Sequence, residues 1–209
     1  MIIDAHTHCQ VREDAVINSS FSRFKPVLGR FYSVGIHPWD IKGNDVDKAL
    51  KAIETHINNK QIVAIGECGI DALIDTPIDI QIKVFERQVE LSERFKKPLI
   101  VHCVRSSNTI MAVHRKYNPS MPWIIHGFRS NENVLKSFLS GNNIFISIGE
   151  KFNEKTLKFI PDNLLLIETD ESILSIEEIV GRIAKIRNQS PQYILELAVK
   201  NIKTALLSE

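Results

Sequence analysis

Ligand-type side chains close one short apolar run after another in this chain. The runs end in "DAHTH" (4–8), "GIHPWD" (35–40), "GECGID" (66–71), "IVHCVRS" (100–106), "IIHGF" (124–128) and "LIETD" (166–170). Short, near-continuous apolar runs read as strands buried on both faces. They are predicted at Met1–Ala5, Ala15–Ser19, Phe31–Ile36, Ile62–Gly66, Leu99–His102, Trp123–His126, Ile144–Ile148 and Leu164–Glu168. Amphipathic stretches fill most of the gaps. Helices are predicted over Val46–Asn58, Asp79–Phe95, Asn108–Lys116, Glu132–Leu139, Glu154–Phe159, Ile176–Arg187 and Pro191–Leu207.

Buried strands alternating with such helices indicate a parallel sheet covered by helices. With this many strands, the closed form is an α/β protein of the (β/α)8 TIM-like barrel type, one domain over residues 1–209. The chain's 209 residues fall short of the roughly 250 usual for that fold. The shortfall lies between His8 and Gly35, where no helical pattern is visible. The first crossover helices are therefore expected to be replaced by loop.

In a parallel barrel the strand C-terminal ends meet at one rim, where active sites are built. His6, His8, Glu67, His102, His126 and Asp170 would converge there. Asp4, His6 and His8, spaced two apart, could project together from one strand. Imidazole and carboxylate suit zinc, manganese, iron or magnesium alike. Six ligands exceed what one catalytic zinc takes, since it keeps three protein ligands and an open position. They fit two divalent ions sharing a bridging carboxylate, about 3.5–4 Å apart, as in metal-assisted hydrolysis.

The ordered set DxHxH, GxHP, GExGxD, a strand ending in His, HxF and ETD resembles the TatD family of metal-dependent hydrolases. Many of its members are described as deoxyribonucleases. The resemblance spans almost the whole chain, including Gln81, Phe85 and Gln88 before the fifth strand, "FISIG" (145–149) and Asn201. It implies one metal on His6, His8, Glu67 and Asp170. A second would sit on Glu67, His102 and His126, with Glu67 bridging. It also implies catalytic roles for Glu67 and Asp170, with Asp170 taking the proton of the attacking water. His37 and Arg105 would face the substrate, and Asp4 would orient a ligand histidine. The expected cofactors are two divalent ions (Mg, Mn or Zn), and the expected substrate is DNA or another phosphodiester. Three features depart from the family pattern. The arginine after the fifth strand stands one place late, HGF replaces HCF, and "ETDESILSIEEIV" runs almost directly into a helix.

Other readings stay open on the residues alone. The same barrel could carry a small-molecule phosphoesterase, an amide or ester hydrolase, or a metal-binding protein without turnover. A phosphoesterase of the polymerase-and-histidinol-phosphatase type is disfavoured, because "ETD" lacks the Asp-x-His pair. His37 could serve as a rigid turn with Trp39 packing the rim. His56 and His114 are expected at the surface of helices. Cys9, Cys68 and Cys103 follow ligands and should point away, as small buried hydrophobes. Three cysteines without a spacing motif suggest a reducing compartment. With no basic leader and no membrane-length apolar run, the expected location is cytoplasmic, and the expected state is monomeric. A formal net charge of +1 is not the footprint of a protein held on nucleic acid by charge alone. It leaves a nuclease open, since bound cations offset phosphate charge locally.

Overall fold

A computed structural model describes residues 1–22 and 24–207 of the chain. Eight parallel strands stand in sequence order around a barrel. They are β1 (Asp4–Thr7), β2 (Ala15–Ser20), β3 (Phe31–Gly35), β4 (Ile62–Asp71), β5 (Leu99–Val104), β6 (Trp123–Ile125), β7 (Ile144–Ile148) and β8 (Leu165–Ile167). The helices are α1 (Val46–His56), α2 (Ile78–Phe95), α3 (Ser107–Tyr117), α4 (Glu132–Leu139), α5 (Glu154–Leu157), α6 (Ile176–Arg187) and α7 (Pro191–Leu206). Among the described residues no helix joins β1 to β2 or β2 to β3. The shortened (β/α)8 architecture is therefore the one the alternation predicts.

The barrel closes at its upper edge. Thr7 and Asp170 form an isolated parallel bridge between β1 and the segment after β8. The Asp170 N–H donates to His6 O at 3.0 Å, and the His8 N–H donates to Asp170 O at 3.1 Å. The seam that closes the barrel thus sets Asp170 beside both histidines of β1.

Strand alternation sorts the residues into two layers. Leu99, Val101, Trp123, Ile125, Ile144, Ile146, Leu165 and Ile167 pack in the larger cluster with helix residues such as Val89, Ile110, Leu135 and Ile179. Ile100, Ile124, Phe145 and Leu166 join Val16 and Ala64 in a second cluster inside the barrel, with Ile202 and Leu206 of α7. Two residues further along each strand, on the same side, come His102, His126, Ser147 and Glu168. The apolar interior therefore ends upward in a polar layer built from the same alternation.

Two buried glutamines of α2 hold the rim in place. Gln88 accepts from the Ile36 N–H at 2.7 Å and donates to Ile36 O at 3.1 Å, just before His37. Gln81 accepts from the Asp71 N–H at 2.8 Å and donates to Asp71 O at 3.0 Å. These bonds give a physical role to the glutamine spacing seen in the sequence. At the other end Asn201 ties α7 to β8 by donating to Leu165 O at 2.8 Å.

β3, β4 and β5 approach closely beneath the rim. A Cβ at Gly35 would stand 2.7 Å from Gly66 Cα, and one at Gly69 would stand 2.1 Å from His102 O. Only a residue without a side chain lets these backbones meet.

Several expectations change: β4 runs on past its predicted end at Gly66 to Asp71, and β5 past His102 to Val104. β1 begins at Asp4 rather than Met1, because its pairing with β2 starts at Asp4 opposite Ala15. Cys68 is buried in the core and Cys103 packs against it, as expected. Cys9 is exposed instead, since it lies beyond the end of β1. His114 is buried rather than at the surface. Its Nε2 faces Asn142 O at 2.9 Å, and its ring stands edge-on to Trp123 at 4.9 Å.

Burial pushes the pKa of the His114 ring below the ordinary 6.5. The unfolded chain therefore binds a proton more readily at this position. The stability His114 contributes is full above that ordinary value and is lost as pH falls from it through the folded value. Melting temperature measured across this range should fall more steeply for the wild type than for His114→Gln, which keeps a donor without the titration.

Candidate active site

Glu67 sits at the end of the glycine-lined approach, 5% exposed, with imidazoles on all sides. Its two oxygens face different partners. Oε2 lies 3.2 Å from His6 Nε2 and 3.3 Å from His8 Nε2. Oε1 lies 2.7 Å from His126 Nε2, 2.9 Å from His102 Nδ1 and 3.3 Å from His37 Nε2. Asp170 Oδ1 stands 3.5 Å from His8 Nε2 and 3.8 Å from His6 Nε2, on the Oε2 side. All six residues read as ligands in the sequence therefore meet in one place.

Three clusters of potential metal-holding atoms emerge: His6, His8 and Glu67; His6, His126 and Asp170; and His37, Glu67 and His102. The site also passes a test of fit to a cation. Both ring nitrogens of His6 are buried without a hydrogen-bond partner among the described residues. A buried polar atom left unpaired costs about 1–3 kcal/mol. A cation held between His6 Nε2 and the two carboxylates would engage one of these atoms.

Charge in the cluster is strongly coupled. Burial works to raise the Glu67 carboxyl, but His126, His102 and His37 overturn it and hold it well below the usual carboxylate range. Burial opposes charge on His126 as well, yet Glu67 and Glu168 hold its ring well above the ordinary histidine value. Asp170 is pushed up, first by burial and then by the charge of Glu168.

The second sphere contains residues that motif reading misses. His102 Nε2 faces Asp71 Oδ2 at 3.3 Å, leaving Nδ1 toward Glu67. His126 Nδ1 lies 3.5 Å from Glu168 Oε1, leaving Nε2 toward Glu67. A carboxylate behind each imidazole fixes which nitrogen is free to bind a metal. Glu168 is itself held by the Gly127 N–H and the Ser147 hydroxyl, both donating to it. Asn18 of β2 accepts from the Glu67 N–H at 3.1 Å and donates to Glu67 Oε2 at 3.4 Å. Asp71 and Glu168 stood inside the quoted motifs, but only burial distinguishes them from surface acids. Asn18, in the weakest predicted strand, left no signal. A Glu168→Gln variant should lose about 10–100-fold in metal affinity with the fold intact. Metal titration against a chelating dye checks this.

Asp4 engages His6 as expected, but through the backbone N–H and not the ring. Its carboxylate accepts from the Thr169 N–H at 3.0 Å and the Thr169 hydroxyl at 2.7 Å, and from the His6 N–H at 3.3 Å. It fixes the backbone on both sides of the closing seam instead of touching an imidazole. Among the three residues read as prongs, only His6 and His8 reach the cluster.

His37 Nδ1 accepts from the Trp39 N–H at 3.2 Å. A neutral ring with that nitrogen accepting carries its proton on Nε2. Nε2 then acts as a donor rather than a metal ligand. Arg105 is exposed just past β5 and lines a cavity of about 810 Å³ over the rim. His102, His126, Asp170, Arg129 and Lys151 also line it. Arg129 was not singled out in the sequence.

A parallel barrel carrying histidines and carboxylates at its C-terminal rim has the donor set of a metal-dependent hydrolase. The model of the TatD related DNase family matches residues 25–206. The chain belongs to the TatD family of metal-dependent hydrolases, enzymes acting on ester bonds. An uncharacterized metal-dependent hydrolase of Mycoplasma genitalium is 31% identical over 85% of this chain and 72% of its own length. A Klebsiella pneumoniae protein named 3′-5′ ssDNA/RNA exonuclease TatD is 30% identical over 79% of this chain and 66% of its own. The crystal structure of an Escherichia coli TatD homologue has the same fold. Its TM-score is 0.86 at 16% identity, covering 100% of this chain and 98% of that one. No described helix is long and apolar enough to cross a membrane.

Proposed function

We propose that this chain hydrolyses phosphodiester bonds of DNA, working from a chain end, with two divalent ions that share Glu67. The observation that carries the reading is the division of Glu67, with Oε2 facing His6 and His8 and Oε1 facing His102 and His126. One ion would be held by His6, His8, Glu67 and Asp170, the other by Glu67, His102 and His126. Such ions make water a nucleophile near neutral pH and offset the charge that builds on the phosphoryl oxygens.

The side chains supply the rest. Asp170 accepts the proton of the attacking water, standing at the cavity mouth beside His6 and His8. His37 would face the substrate, its Nε2–H exchanging Glu67 Oε1 for a phosphoryl oxygen. Arg105 offers a two-pronged guanidinium to a phosphate. A cavity at a barrel mouth accepts a terminus more readily than a continuous duplex. The exonuclease name of the Klebsiella relative agrees with that choice of substrate.

The test offers a 3′-labelled oligonucleotide, a phosphomonoester and a carboxylic ester side by side, each with magnesium, manganese or zinc. Nucleotide release that outpaces the other two substrates is the expected result. Preferential hydrolysis of the monoester or the carboxylic ester would replace the nuclease reading.

A further inference from the structure

Trp39 is 63% exposed, and Leu73, bonded to the same Asp71, is 61% exposed. Large apolar groups left in water next to a polar site raise the question of what covers them. The Trp39 ring centroid stands 5.0 Å from His37 and 6.3 Å from His102, so the indole borders the reacting region directly. Leu73 lines the cavity over the rim.

Both residues are tied to one buried carboxylate. The Trp39 indole N–H donates to Asp71 Oδ2 at 2.8 Å, and the Leu73 N–H donates to Asp71 Oδ1 at 2.9 Å. The oxygen that takes the indole proton also faces His102 Nε2 at 3.3 Å. An exposed aromatic surface and a histidine of the cluster are thus anchored to the same atom. The indole is held rigidly by its polar end while its apolar body stays open, the arrangement expected of a stacking platform.

We propose that Trp39, together with Leu73, is the platform on which an unpaired nucleobase next to the scissile phosphate stacks. Through Asp71 it is also a positioning residue for His102. The proposal rests on the nucleic-acid reading of the site and adds what that reading lacks: a contact to the base rather than to phosphate. Every base presents a π-face, so such a platform admits any sequence but demands an unpaired base. It therefore favours single-stranded ends over paired ones.

Fluorescence provides a readout independent of turnover. The chain has two tryptophans, and Trp123 is fully buried, so a change in emission on binding reports Trp39. Chelator-treated protein titrated with a single-stranded oligonucleotide should show quenching, and the same oligonucleotide with an abasic terminus should show little. Two variants separate the roles. Trp39→Phe keeps an aromatic face and loses the N–H. It should lower kcat and zinc affinity about tenfold with KM nearly unchanged. Trp39→Leu loses both functions and should raise KM about tenfold or more as well.

Each outcome decides something. Quenching without oligonucleotide hydrolysis by the metal-loaded protein supports the platform and removes the phosphodiesterase reading. Hydrolysis with no quenching, and with KM unchanged in Trp39→Leu, overturns the platform and keeps that reading. Neither quenching nor hydrolysis overturns both. Unaltered zinc affinity in Trp39→Phe overturns the link to His102.

Discussion

Glu67→Gln is expected to cost hydrolysis about 10³-fold or more and to strip the site of metal. Five imidazoles converge on this one side chain, and its two oxygens divide them into two groups. A carboxamide offers one acceptor oxygen and one donor nitrogen. It therefore cannot present an anionic oxygen to both groups at once. The amide also removes the charge that pushes the His126 pKa upward. Metal content per chain should fall together with activity. Circular dichroism should stay barrel-like, because the strands beneath the site are held by apolar packing.

Asp170→Asn should leave metal binding partly intact and reduce kcat by about 10²–10⁴-fold, the range for a lost general base. The side chain stands at the mouth, about two-fifths exposed, whereas Glu67 is buried. Its backbone carries the bridge to Thr7 and the hydrogen bonds to His6 and His8, which an asparagine keeps. Asparagine also tolerates the left-handed backbone of φ 53° at this position. The variant should therefore fold and melt close to the wild type. A pH–rate profile checks the role: the acidic limb that Asp170 sets in the wild type should be absent from the residual activity of Asp170→Asn.

Residues whose position follows from strand alternation were legible before any coordinates. His102 and His126 close buried strands, and the pattern places them two residues above Ile100 and Ile124 on the inner face. The missing early helices were legible too, because a helix needs an apolar stripe and the segment after His8 has none. The sequence was silent where a contact joins distant segments through one side chain. Asp4 meets Thr169 across the closing seam. Asn18 clamps Glu67 from a strand whose apolar pattern is weak. His114 lies on a helix whose inner face could be placed, yet its burial depends on Trp123 and the Asn142 carbonyl. In such cases one-dimensional periodicity carries no information, because the partner is chosen by the barrel's closure and not by spacing. The same holds for Asp71 and Glu168, which become distinct from ordinary acids only when a histidine is found in front of each.

A metal pair on Glu67 would make hydrolysis of a nucleic-acid end depend on both that carboxylate and the bound ions. Release of labelled nucleotide from a 3′-labelled single-stranded oligonucleotide tests it most directly, in wild type and Glu67→Gln, with and without a chelator. Release by the metal-loaded wild type alone is the expected result. Release that persists in Glu67→Gln or after chelation would contradict it.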